Sequence, residues 1–329
     1  MKNNNSDIRI FAGSSSVDFL NKMCRYLEIL PGKSESFHFS EGNSYVKILE
    51  NVREKDIYIV QTIGLFANDA FVELLFWIDA FKRSSARSVT VIIPFFSYAK
   101  GDKKDEPRVS IRARVCADCL EVAGADRIIT MDLHSPQIQG FFKIPVDHLF
   151  AYPLLCEYIK SLSIPDLVIV SPDAGFAKNA RKFSSYLNLP TVICDKTRSD
   201  HSEKAEVLEI IGNVRGKNAF IVDDFTITCG TILDTARILR ENGAKTINAL
   251  VSHALLTEKG LSQLENSEIN TLIVTDTVNN TMLFNHKKIK IISVAPLFAE
   301  AVRIIHDKES LSALFENLPA KVLDFAFEQ

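Results

Sequence analysis

Ten short apolar runs punctuate the chain: IRIF at 8–11, DIYIVQ at 56–61, SVTVIIPF at 88–95, RIITMD at 127–132, DLVIVS at 166–171, TVICD at 191–195, AFIVDD at 219–224, TINALVS at 246–252, TLIVTD at 271–276 and IKIISV at 289–294. Most are rich in β-branched residues and lack strict polar alternation, the pattern of strands buried on both faces. Between them apolar residues recur every three or four positions, as in FVELLFWIDAFKR at 71–83 and ILDTARILREN at 232–242, which predicts amphipathic helices. EVLEIIGNV at 206–214 also reads as helix-like. Strands alternating with helices in this manner predict an α/β fold with mostly parallel sheets.

The pattern repeats weakly. A helix ending in IDAFKR and turning into SARSVTVII at 85–93 matches one ending in ARILREN and turning into GAKTINALV at 243–251, and RIITMD at 127–132 echoes TLIVTD at 271–276. Two copies of one α/β domain account for both echoes. The length of 329 residues also favours two domains over one. The boundary is expected near Ala151, after IPVDHLF and before the helix YPLLCEYIKSL, giving domains 1–150 and 151–329, with the last helix a candidate to pack back on the first.

Composition narrows the partners. With 38 Lys plus Arg against 41 Asp plus Glu, the formal net charge is -3, so no global basic field points to nucleic acid, and any anion site must be local. No signal-peptide pattern opens the chain and no run of about 18 uncharged apolar residues follows, so a cytoplasmic protein without a membrane partner is expected. The six cysteines, Cys24, Cys116, Cys119, Cys156, Cys194 and Cys229, are dispersed through apolar patterns and are expected to be reduced. Cys116 and Cys119 form a CxxC, but within one helix, with no second pair at zinc spacing; small core residues a turn apart are the simpler reading.

The chemistry concentrates after AFIV at 219–222. That strand ends in Asp223 and Asp224, a short loop runs through Phe225, Thr226, Ile227, Thr228 and Cys229, and Gly230 and Thr231 open a helix. Ligands of open α/β sheets bind at the carboxyl ends of strands, and a helix N-terminus favours phosphate. The backbone amides of residues 227–231 would hold a phosphate, while the two acids accept hydrogen bonds from ribose hydroxyls or bind a magnesium-linked water. An ordinary strand-to-helix turn needs only one capping acid, and adjacent carboxylates repel. Cys229 lies inside this loop, so ribose 5-phosphate is expected to shield its thiol from alkylation.

From FAGSSS near residue 11 to LSALFE near residue 315, the sequence resembles the ribose-phosphate pyrophosphokinases, and the loop resembles the phosphoribosyl pyrophosphate signature shared with phosphoribosyltransferases. The resemblance implies two tandem phosphoribosyltransferase-like domains, each a mostly parallel sheet flanked by helices. It also implies the reaction of Mg-ATP with ribose 5-phosphate to give phosphoribosyl pyrophosphate and AMP. In the first copy Gln61 and Thr62 stand where the second has Asp223 and Asp224, so only the second domain is expected to bind ribose 5-phosphate. The family's metal motifs map to Met131-Asp132-Leu133-His134 and Ser171-Pro172-Asp173, which makes His134 and Asp173 magnesium ligands by resemblance. Its mobile catalytic loop maps to Lys196 and Arg198, cations suited to the charge of a diphosphoryl transition state. Its ATP segments map to Phe39, Glu41, Gly42 and Asn43, and to Lys100 and Gly101. A homo-oligomer, a hexamer in the family, is implied, with the segment around Phe39 serving a neighbouring chain. Control by phosphate and ADP is implied only loosely: Arg53 and Ser310 fall at plausible positions, but the residues around them differ from the family's.

Several positions depart from the family. Glu41 replaces Asp, Asn43 replaces Glu, Lys100 replaces Arg and Gly101 replaces Gln, removing bidentate and amide hydrogen bonds. Ile227 replaces an Asp in the phosphate loop, which a backbone cradle tolerates. Phe176 stands at the last Gly of the family's SPDxGG, where a ring could narrow the diphosphate path. Two other readings therefore stay open: a catalytically weak homologue that regulates an active enzyme, and a nucleobase phosphoribosyltransferase, against which the second α/β copy counts.

Overall fold

All ten apolar runs are strands of two parallel-dominated sheets. The computed structural model describes residues 8–197 and 207–328. Two compact units divide the described residues: one of 8–150 with 277–279 and 294–326, the other of 151–197 and 207–276 with 280–293 and 327–328.

In the first unit, β1 (Ile8–Ala12), β4 (Asp56–Val60), β5 (Ser88–Ile93), β6 (Arg127–Met131) and β7 (Val146–Leu149) lie side by side in that order. Every pairing is parallel. Parallel neighbours require crossover helices, here α1 (Val17–Leu27), α2 (Ala67–Arg83) and α3 (Arg112–Ala123). α2 buries Trp77 and Phe81, stacked at 5.7 Å, and Phe81 meets Phe11 of β1 at 4.8 Å. Each such ring is worth about 1.5–3 kcal/mol of burial. A separate antiparallel hairpin, β2 (Ser34–His38) and β3 (Ser44–Ile48), stands outside this sheet.

The same unit takes in α8 (Ala295–His306) as well as most of the last helix, Ala320–Phe327, and so regains more of the chain than the last helix that a boundary at 151 allowed to pack back. Specific contacts hold them. Phe298 meets Phe19 edge-on at 5.5 Å, Tyr26 donates its hydroxyl to Glu300 at 2.7 Å, and Phe325 packs on the Tyr26 ring at 5.3 Å.

In the second unit the order is β10 (Val207–Ile211), β9 (Thr191–Thr197), β8 (Leu167–Ser171), β11 (Asn218–Thr226), β12 (Thr246–Ala254), β13 (Thr271–Thr275) and β14 (Ile289–Ile292). α4 (Tyr152–Ser161), α5 (Ala177–Leu187), α6 (Gly230–Glu241) and α7 (Glu258–Glu265) connect them. Only β10 runs antiparallel, against β9. This overturns the helical expectation for 206–214: the run Val207–Ile211 spans five residues, too short for a stable helix, and its branched residues find a ladder on β9.

The order β8-β11-β12-β13-β14 reproduces β1-β4-β5-β6-β7, so β4 and β11 are topological equivalents, as are β5 with β12 and β6 with β13. The last two are the pairs joined by the sequence echoes. Among the described residues no helix is long and apolar enough to cross a membrane.

Candidate active site

β11 is flanked by β8 and β12 and runs nine residues, long enough to carry its acids past the buried run Ala219–Phe220–Ile221–Val222. Asp223 and Asp224 are half-buried, and each accepts the next residue's amide at 2.9 Å: Asp223 from Asp224, and Asp224 from Phe225. Burial first, then the charge of Asp224 and more weakly that of Asp173, push the Asp223 carboxyl well above the ordinary carboxylate range. Crowding of negative charge at a strand end is tolerated where a cation or hydroxyl donors will meet it.

The loop after β11 is pinned from beneath. Thr226 Oγ1 accepts the Cys229 amide at 3.1 Å, the Thr226 carbonyl accepts Leu255 N–H at 2.9 Å and the Ile227 carbonyl accepts Thr257 N–H at 3.1 Å. α7 abuts the loop so closely that a Cβ at Gly260 would lie 3.1 Å from the Ile227 oxygen and 3.2 Å from Thr228 Cα. Ile227, Thr228, Gly230 and Thr231 are exposed. The first-turn amides of α6 have no intrahelical acceptor by position, and an exposed helix start of this kind favours an anion.

Cys229 departs from expectation. It adopts a left-handed conformation (φ 60°), which turns its side chain into the core at 1% exposure. Burial raises the thiol to about 11. Its contribution to the loop is backbone, and the thiol is not available as a reporter of ligand. Iodoacetamide labelling of Cys229 in the native protein, followed by mass spectrometry near pH 8, is expected to be slow and unchanged by ribose 5-phosphate; rapid labelling that the sugar blocks would show the thiol to be exposed.

Asp173 follows β8, the neighbour of β11. Its carbonyl accepts the Ser171 hydroxyl at 2.7 Å and its Oδ1 accepts the Phe176 amide at 2.8 Å, so the acid caps the turn that leads into α5. Phe176 has φ -88°, ordinary right-handed backbone, so nothing in the chain's path demands a glycine there; its ring is half-buried. Lys196 is paired through its backbone in β9, opposite Leu208. Arg198 lies outside the described residues.

In the first unit, His134 is exposed beyond β6. The turn before it is fixed by a left-handed Asp132 (φ 41°) and by the Leu133 amide, which donates to the buried His148 at 2.9 Å. Phe39, Glu41, Gly42 and Asn43 form the tip of the β2–β3 hairpin. Phe39 N–H donates to the Asn43 carbonyl at 2.9 Å, Gly42 is left-handed at φ 92°, and the exposed Phe39 ring stacks edge-on to Phe37 at 5.0 Å. Lys100 and Gly101 end the separate helical turn Ser97–Gly101.

The strand end of β4, topologically equivalent to that of β11, is filled by protein, a feature not anticipated from the sequence. Gln61 is fully buried; its amide oxygen accepts the Ser15 hydroxyl at 2.7 Å and its nitrogen donates to Glu73 at 2.8 Å. Glu73, 2% exposed, also accepts Ser14 N–H at 3.0 Å, the Ser14 hydroxyl and Trp77 Nε1–H at 3.2 Å. Ser14 of the FAGSSS segment thus binds an internal carboxylate at the strand end where the second copy places Asp223 and Asp224. The signal was an acid inside the apolar run AFVELLFW.

Among the described residues no group of three or more His, Cys, Asp and Glu side chains could hold a metal by itself. The donors present, crowded carboxylates at adjacent strand ends, fit a hard divalent cation that takes few protein ligands and completes its shell with phosphate oxygens and water.

A doubled parallel α/β unit defines a phosphoribosyltransferase-like protein in which the second copy has the acid pair and the exposed amide loop after its central strand. Two family models match, the N-terminal domain of ribose phosphate pyrophosphokinase over residues 8–124 and the phosphoribosyl synthetase-associated domain over residues 181–316. The chain is 41% identical over 319 residues to a ribose-phosphate pyrophosphokinase of Clostridium acetobutylicum, covering 96% of this chain and 100% of the relative. It is 42% identical over 307 residues to that of Wolinella succinogenes, covering 93% and 98%. The crystal structure of phosphoribosylpyrophosphate synthetase from Mycobacterium smegmatis superposes with a TM-score of 0.85 at 35% identity, over 92% of this chain and 99% of that one. The chain belongs to the ribose-phosphate pyrophosphokinase family.

Proposed function

We propose that the chain is an ATP-dependent ribose-phosphate diphosphokinase acting in the cytoplasm. The anomeric hydroxyl oxygen of ribose 5-phosphate attacks the β-phosphorus of ATP, the bond from that phosphorus to the α,β-bridging oxygen breaks, and AMP leaves with 5-phosphoribosyl 1-diphosphate as the other product. The observation that carries this reading is the exposed amide loop 227–231, pinned by Thr257 and α7 and preceded by Asp223 and Asp224. The loop amides hold the 5-phosphate, and the two acids accept hydrogen bonds from the ribose hydroxyls, fixing which oxygen faces the nucleotide.

Lys196 and Arg198 stabilise negative charge as it shifts onto the leaving phosphate. Phe39, Glu41, Gly42 and Asn43, with Lys100 and Gly101, bind ATP. Asp173, with His134 as the second ligand implied by resemblance, would hold magnesium, which supplies charge neutralisation to the phosphates. Assembly is as a homo-oligomer, a hexamer by family resemblance, with no nucleic-acid or membrane partner.

Phe176, at the turn capped by Asp173, and the altered nucleotide residues Glu41, Asn43, Lys100 and Gly101 favour a weak regulatory homologue. The purified protein with ATP, magnesium and ribose 5-phosphate is expected to release AMP, with Lys196→Ala reducing the rate on the order of 10²–10³-fold. No release above that of Lys196→Ala would end the enzyme reading and leave the regulatory one.

A further inference from the structure

We propose that Arg112 is a nucleotide-contacting residue, and that Gly101 is a glycine because Arg112 occupies the space its side chain would take. The inference rests on reading Lys100 and Gly101 as part of the ATP site, and adds to that site a residue the sequence did not single out.

Gly101 is buried at the end of the Ser97–Gly101 turn, yet it is absent from the left-handed glycines. Backbone conformation therefore does not require it. Space does: a Cβ at position 101 would fall 2.6 Å from Arg112 Nε, 2.9 Å from Arg112 Cβ and 3.2 Å from its Cζ. The Nε contact could be relieved by swinging the side chain. The Cβ contact could not, because Arg112 Cβ is fixed by the backbone of α3. Any other residue at 101 must shift the first turn of α3 or the turn 97–101.

Arg112 is the first residue of α3, and that helix has no acid in its first turn. A cation there opposes the helix dipole. Arg114, two residues on, is compensated by Asp118 at 2.5 Å and by the Phe141 carbonyl. Arg112 is exposed and has no hydrogen-bond acceptor or ion-pair partner among the described residues. An uncompensated guanidinium laid over a side-chain-free backbone presents its fork of N–H donors to solvent, the geometry that matches phosphate oxygens or the acceptor edge of a purine. Where relatives have a glutamine amide at position 101, this chain supplies donors from the neighbouring helix.

The test is calorimetric titration of Mg-ATP into the full chain, alongside ribose 5-phosphate as a reference ligand. Arg112→Ala is expected to weaken Mg-ATP binding roughly 5- to 20-fold, the worth of one or two charge-assisted hydrogen bonds, and to leave ribose 5-phosphate binding unchanged. Arg112→Lys keeps the charge without the fork and should fall between. Gly101→Ala should weaken Mg-ATP to a similar degree by displacing Arg112, and the double variant should be no weaker than the weaker single, because both act through one contact. Wild-type affinity in Arg112→Ala, additive losses in the double variant, or no Mg-ATP binding by the wild type would overturn the proposal. Wild-type protein that binds Mg-ATP through Arg112 but releases no AMP would instead overturn the reaction and leave this contact standing.

Discussion

Asp223→Asn is expected to lower kcat/KM for ribose 5-phosphate by on the order of 10²–10³-fold while making the ligand-free protein more stable. The two effects have one cause. Asp223 is held half-buried beside Asp224 and near Asp173, and its carboxyl is raised above its ordinary range by burial first and like charge second. For a carboxyl whose folded pKa exceeds its unfolded value of about 4, the favourable contribution is complete below that unfolded value and is lost as pH climbs toward the folded one. At neutral pH, between the two values, keeping this carboxyl buried beside Asp224 therefore costs the apo fold stability. Asparagine keeps an oxygen for the Asp224 amide, now 2.9 Å from Asp223 Oδ1, and removes the charge.

The gain should be on the order of 1 kcal/mol, roughly 2–4 °C in Tm, measured in chelator, and should shrink as pH approaches 4. The loss follows because a neutral amide cannot make charge-assisted bonds to ribose hydroxyls. Activity within about threefold of wild type would remove Asp223 from the site. A lower Tm at pH 7–8 would make the acid a structural residue.

The parts legible in the sequence share a physical character. Strands buried on both faces announce themselves as continuous apolar runs, so β1, β4, β5, β6, β8, β9, β11, β12, β13 and β14 were all anticipated. The hairpin β2–β3 was not, because SESFH and SYVKI mix polar and apolar residues on an exposed ribbon. β7 (VDHL) and β10 (VLEII) interrupt their apolar residues with Asp147, His148 and Glu209, and each exists because a neighbouring strand offers a ladder. The return of 294–326 to the first unit rests on contacts such as Tyr26 with Glu300, separated by 274 residues, which no local pattern encodes.

At the site, paired acids after an apolar strand were readable because adjacent carboxylates are costly without a purpose. The inward turn of Cys229 depends on one left-handed φ, and the approach of Arg112 to Gly101 depends on how α3 docks; both are tertiary facts.

Glu73→Ala should be among the most destabilising single changes in the chain, on the order of 3–5 kcal/mol, with the loss felt in the first unit. Glu73 is the acceptor at which Ser14, Gln61 and Trp77 converge, and the hydrogen bonds it receives come from backbone, hydroxyl, amide and indole donors. Removing it strands those donors in a region where Gln61 and Trp77 are fully buried, and opens a cavity beside the ring that stacks on Phe81. Glu73→Gln keeps the volume but turns an amide nitrogen toward the same donors, so it should recover only part of the loss. Urea unfolding followed by the fluorescence of Trp77, the single tryptophan, reads that environment directly.

A loss below about 1 kcal/mol for Glu73→Ala would mean that water replaces the carboxylate at little cost. The larger loss would mean that the first copy keeps its strand end occupied by an internal anion. The two copies then differ in a definite way: after β4 the chain satisfies its own donors with Glu73, whereas after β11 it places two half-buried acids and an exposed loop, where the proposed substrate would bind.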